Sequence, residues 1–102
     1  MKESQFNALL EISAENEITQ RALSSRLGLS LGSVNYIVKA LIQKGYVKAS
    51  SFKNSNNKIG YIYILTPEGV KEKVCQTEAF MLRKQEEYER LKAAIKTANT
   101  DS

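Results

Sequence analysis

The sequence predicts a mainly α fold carrying one β-hairpin (α+β), and three features carry that expectation. Apolar residues recur at helical spacing in three short segments before residue 45, change to strict alternation between residues 46 and 65, and return to helical spacing in one unbroken run from residue 67. A glycine or a capping hydroxyl residue punctuates each change of period. The length, 102 residues with 42% apolar and 25% charged, is that of one soluble globular domain.

The first helix is expected over residues 4–14, where Phe6, Leu9, Leu10 and Ile12 fit one face. Ile18 and Thr19 then precede QRALSSRLG. Thr19 is placed to cap, with Ile18 before it and Leu23 four residues after it, the spacing of a hydrophobic staple. Gly28 suits the left-handed residue that ends such a helix. The arrangement then repeats: Leu29, the cap Ser30 and Val34 open LGSVNYIVKALIQK, and Lys44 and Gly45 close it. Two helices joined by GLS, the second longer, form a helix-turn-helix pattern.

Residues 46–52 and 59–65 are rich in β-branched and aromatic side chains and flank a polar Asn/Ser/Lys tract. They predict a hairpin whose strands bury Val47, Ile62 and Ile64, with Asn and Ser serving the turn. Leu65, the cap Thr66, Pro67 at the first helical position and Val70 open a third staple. The helix that follows is expected to run to about residue 98, with the polar residues 99–102 frayed. Val74, Met81, Tyr88 and Ile95 fall seven apart along it, with Val70, Leu91 and Ala98 in companion positions and Thr77 and Lys84 interrupting the stripe. About 30 residues of helix span roughly 45 Å, more than the rest of the chain can cover, so part of the stripe must find a partner chain or stay exposed.

Charge separates the two halves. Residues 18–66 carry Arg21, Arg26, Lys39, Lys44, Lys48, Lys53 and Lys58 against no acid, a charge of +7, whereas residues 67–102 balance seven bases with seven acids. A basic body joined to a neutral, charge-laced helix points to a polyanionic partner for the body and another role for the helix. Enzyme chemistry has little to build on: there is no histidine, one cysteine, no Gly-rich phosphate loop and no metal-ligand spacing, so neither a catalytic residue nor a cofactor or metal is expected. Cys75 reads as a small apolar residue on the long helix, with nothing near it in sequence to lower its pKa. The longest apolar run, YIYIL, has five residues, far below the roughly 18 of a membrane span. The amino terminus lacks the apolar core of a signal peptide, and the expected compartment is the cytoplasm, with no membrane association.

Helix, helix-turn-helix and hairpin in this order make a winged helix-turn-helix, here followed by a long C-terminal dimerisation helix. The expected division is residues 1–66 for DNA binding, 67–98 for joining protomers and 99–102 for the tail. In such a fold the second helix of the pair enters the major groove of double-stranded DNA and the hairpin lies on the flanking backbone or minor groove. Leu31, Val34, Val38, Leu41 and Ile42 are expected to face inward, leaving Gly32, Ser33, Tyr36, Lys39 and Gln43 outward with Asn35 at the edge. The reading segment is Ser30, Leu31, Gly32, Ser33, Asn35, Tyr36 and Lys39. Gly32 and Ser33 permit close approach, Asn35 and Gln43 suit base edges, and Tyr36 suits a phosphate, a thymine methyl or the edge of the core. Arg21, Arg26 and Lys39 suit phosphates, as do Lys53 and Lys58 at the hairpin tip, where Asn54, Ser55, Asn56 and Asn57 lie between them. The dimerisation residues are Val74, Met81, Tyr88, Leu91 and Ile95. The alternative is a winged-helix adaptor that binds another protein through its long helix and does not contact DNA.

Across almost the whole chain, from residue 6 to 95, the stretches ITQRALSSRLGLSLGSVNYIVKALIQKGYVK, FKNSNNKIGYIYILTPEGVKEK and KQEEYERLKAAI closely resemble the small MarR-family regulators associated with exopolysaccharide gene clusters in bacteria. SLGSVNY, NSNNK and YILTPEG are the more specific parts of that likeness. The resemblance implies a homodimeric DNA-binding transcriptional regulator of exopolysaccharide-related genes. The sequence departs from that pattern at Ser33, where a basic residue is common, and at Asn56, where an acid is, so base preference is not carried over. Larger MarR proteins build a small-molecule pocket from extra terminal helices; with one long and one short terminal helix here, such an effector is not expected.

Overall fold

A computed structural model describes residues 1–15, 17–53, 56 and 59–100, without the side chains of Ile59 and Thr100. The chain runs α1 (Glu3–Ala14), β1 (Ile18–Thr19), α2 (Gln20–Leu27), α3 (Leu31–Gln43), β2 (Val47–Lys53), β3 (Ile59–Leu65) and α4 (Pro67–Thr100). This is the winged helix-turn-helix, followed by one long helix. The strands form an antiparallel sheet in the order β1-β3-β2, so the expected hairpin gains a third, two-residue strand. Ile18 and Thr19, read from sequence only as staple and cap, also pair with Tyr63 and Ile62.

Local chemistry sets the helix boundaries. Thr19 Oγ1 accepts the Ala22 N–H at 3.1 Å and Ser30 Oγ accepts the Ser33 N–H at 3.2 Å, so the first two of the three predicted caps are in place. The ends of α2 and α3 are built alike. Gly28 has φ 66° and Gly45 φ 81°, and each is followed by a residue whose N–H turns back to the helix, Leu29 to Ser24 and Tyr46 to Leu41. Of the three predicted staples only Ile18 with Leu23 is buried at both ends; Leu29 and Val70 stay exposed.

The core gathers Leu9 and Ile12 of α1, Ile18, Leu23 of α2, Val34, Ile37, Val38 and Leu41 of α3, Val47 and Tyr63. Two expectations are corrected. On α3, Ile37 closes the inward face, while Leu31 and Ile42 at its margins are exposed; the four buried residues fall within one arc of about 100° at helical spacing. On β3 it is Tyr63 that is buried, with Ile62 and Ile64 only half-buried. The register explains the reversal, because paired residues share a face. Ile64 lies opposite Lys48 and Ile62 opposite Ser50, which belong to the solvent side, whereas Tyr63 lies between Ala49 and the buried Ile18.

α4 is fastened at its start. Thr66 Oγ1 donates to the Gly45 carbonyl at 2.5 Å and accepts the Gly69 N–H at 3.0 Å, while the Thr66 N–H donates to the Tyr46 carbonyl at 3.1 Å. The helix passes so close that a Cβ on Gly69 would lie 2.0 Å from that carbonyl oxygen. The Tyr46 phenol has its pKa raised, by burial first and then by the negative charge of the Glu72 carboxylate. Further along, Phe80 meets Phe6 of α1 with ring centroids 5.7 Å apart. Beyond it every described side chain of α4 is exposed, and the molecule measures 70 × 25 × 20 Å. No helix among the described residues is long and apolar enough to cross a membrane.

Candidate nucleic-acid interface

Once α3 commits Val34, Ile37, Val38 and Leu41 to the core, its helical repeat fixes the opposite ridge. Gly32, Tyr36, Lys39 and Gln43 follow one another along it, with Ser33 on one flank and Asn35 on the other, all exposed. Tyr36 is 74% exposed, which removes the core-edge role left open for it. Leu31, expected both to face inward and to lie in the reading segment, is 46% exposed. Ser30 Oγ also bonds Ser33 Oγ at 3.0 Å, tying the first turn to its cap.

Two grooves flank the ridge. On the α1 side, Lys2, Ser4 and Gln5 face Leu29, Gly32, Ser33 and Tyr36. On the hairpin side, Gln20, Asn35, Lys39 and Ile42 face Ala49, Tyr61 and Tyr63. Among the described residues neither lining contains a carboxylate. A third groove, between the start of α1 and the middle of α4, mixes Arg83, Lys84 and Arg90 with Glu3, Glu86 and Glu87. Burial raises the Tyr63 phenol pKa, with a smaller contribution from Tyr61.

The basic residues divide by what holds them. Arg26, expected to face phosphate, is engaged by Glu15 at short range and by Glu11 at 3.6 Å, and those bonds raise its pKa, Glu15 first. Both acids precede the acid-free segment in sequence, and the fold brings them against Arg26. Lys44 Nζ donates to Gln5 Oε1 at 3.3 Å. Arg21, Lys39, Lys48 and Lys53 are exposed and enter no ion pair among the described residues. At the hairpin tip, Asn56 is exposed, while Asn54, Ser55, Asn57 and Lys58 lie outside the described residues. No group of side chains suited to a metal ion occurs among the described residues.

On α4 the residues expected to join protomers are all exposed: Val74 48%, Met81 64%, Tyr88 59%, Leu91 61% and Ile95 65%. At 100° per residue they line a face about a quarter-turn from the one that carries Gly69, Gln76 and Phe80 against the body. Cys75 is also exposed. Gln20 and Tyr61 were not singled out from sequence. Tyr61 was hidden by the mistaken strand parity, and Gln20 carries no charge to attract notice.

Residues 1–48 match the family described as winged helix-turn-helix DNA-binding. The structure is similar to a mutant MarR from E. coli complexed with operator DNA, with 29% identity and a TM-score of 0.62, covering 72% of this chain and 51% of that one. It is similar also to wild-type apo MarR from E. coli, with 30% identity and a TM-score of 0.60, covering 70% and 51%. The transcriptional regulator BldR from Sulfolobus solfataricus shares the fold at 21% identity and a TM-score of 0.72, covering 84% and 60%. The chain thus spans about half the length of the E. coli MarR structures it matches. No curated protein sequence matches it.

Proposed function

We propose that this chain is a MarR-type winged-helix transcriptional regulator that binds double-stranded DNA as a homodimer. The observation that carries the reading is the acid-free, exposed ridge of α3, set within a segment that matches a winged helix-turn-helix DNA-binding domain. Ser30 to Lys39 enter the major groove, where the Asn35 amide suits adenine and Tyr36 suits a thymine methyl or a phosphate. Arg21, Lys39 and Lys53 neutralise phosphates, and the hairpin tip, with Asn54 to Lys58, lies on the flanking backbone or minor groove.

The stripe Val74, Met81, Tyr88, Leu91 and Ile95 pairs with the same stripe of a second copy, placing two reading helices on half-sites roughly 34 Å apart. The compartment is the cytoplasm. That the regulated genes concern exopolysaccharide rests on the sequence resemblance alone. The α4 stripe also suits a different protein, which is the reading of an adaptor that leaves DNA alone.

Fluorescence anisotropy on duplex from upstream of the chain's own gene, with light scattering for mass, separates the two. The expected result is a dimer whose log K falls linearly with log salt, and Lys53→Ala lowers the slope by about 0.9. A folded dimer with no affinity for duplex at low salt rejects the DNA reading and favours the adaptor.

A further inference from the structure

The hairpin's inner face descends from core to solvent in three steps. Val47 lies opposite Leu65 next to the core, Ala49 lies opposite the buried Tyr63, and Ser51 lies opposite Tyr61, which is 47% exposed. Small residues thus oppose both tyrosines, and a trough is left between this face and α3. Among the described residues its walls carry one cation, Lys39, the amides of Gln20 and Asn35, and the Tyr61 phenol, with no carboxylate. The α1–α4 groove has more cations but balances them with three acids, so charge selects the trough and not that groove for a polyanion.

Geometry selects the same occupant. The B-DNA major groove is about 12 Å wide, and a helix with its side chains is about 10–12 Å across. A helix lying there fills the groove, and the backbone bordering it must meet whatever stands beside the helix. On the hairpin side of α3 that is the trough.

We infer that the trough between α3 and the hairpin holds one sugar–phosphate strand of the bound duplex, with the Tyr61 hydroxyl and the Gln20 side-chain amide donating to phosphate oxygens beside Lys39. The inference rests on the DNA-binding reading above and adds two neutral donors from elements outside the recognition helix. Phosphate contacts of this kind fix the position of the protein on the duplex and carry no sequence information.

The test measures Kd by anisotropy for the wild type, Tyr61→Phe, Gln20→Ala and Lys39→Ala, on the upstream duplex and on a scrambled duplex of equal composition. Tyr61→Phe keeps the ring and is expected to weaken binding to both duplexes by the same factor, about tenfold, with Gln20→Ala acting in the same direction. Neither changes the salt slope, because neither removes a charge, whereas Lys39→Ala lowers it by about 0.9. Single methylphosphonate substitutions in the probe supply a second readout: the wild type is sensitive to one position beside the reading helix, and Tyr61→Phe loses that sensitivity. Unchanged affinity in both Tyr61→Phe and Gln20→Ala overturns the inference while leaving the DNA reading standing. A loss confined to the upstream duplex overturns it in favour of base contact. A wild type that binds neither duplex overturns both.

Discussion

Helices α3 and α4 each carry an apolar stripe, and the two stripes have opposite fates. On α3, Val34, Val38 and Leu41 are at most 1% exposed, packed by α1, α2 and the sheet. On α4, Met81, Tyr88, Leu91 and Ile95 are about 60% exposed, because the body ends near Phe80 and the helix continues for several turns. Periodicity therefore marks a face that requires burial without saying which chain supplies it. The length of the helix relative to its neighbours supplies that second fact.

The largest expected effect breaks the α3 side. Leu41→Ala removes a fully buried side chain and is expected to destabilise the body by about 2–5 kcal/mol, read as a lower urea midpoint. The loss arises within one chain, so the difference from wild type should persist across protein concentrations. If α4 is completed by a second copy, Met81→Asp with Leu91→Asp behaves otherwise. Each lost apolar contact is worth roughly 1.5–3 kcal/mol, so the pair should yield monomers in sedimentation at concentrations where the wild type is dimeric. The body keeps its helical circular dichroism, since both side chains are exposed and outside its core, while the wild-type melting temperature rises with concentration and that of the variant does not. A double variant that remains dimeric would move the interface elsewhere and undo the contrast between the two helices.

Much of this was legible in the residues. Thr19, Ser30, Thr66 and the glycines at 28 and 45 each have a local chemistry that admits few alternatives, so helix starts and stops came out within a residue or two. The hairpin register was less legible. YIYIL is apolar on both faces, and only pairing with Lys48 and Ser50 on one side and Ile18 on the other decides that Tyr63 goes in. β1 has two residues and no pattern of its own, so nothing local could announce it. The outward ridge of α3 followed from helical spacing alone, but the trough beside it depended on the strand parity and was invisible until that was settled.

The same distinction between groups completed within the chain and groups left for a partner applies to charge, and two arginines on α2 provide its finest test. Arg26 is held by Glu15 and Glu11, so binding a phosphate would require giving up bonds that already satisfy it. Arg21 sits on the same helix, exposed and outside any ion pair among the described residues. Replacing each by glutamine removes one positive charge from an otherwise similar surface. Arg21→Gln is expected to lower the slope of log K against log salt by about 0.9 and leave the urea midpoint unchanged. Arg26→Gln is expected to leave the slope unchanged and lower the midpoint slightly, because an exposed ion pair contributes little. If the two variants exchanged behaviours, Arg26 would have to leave its carboxylates on binding. The Glu11 and Glu15 contacts would then be a competitor for DNA instead of a tie between α1 and α2.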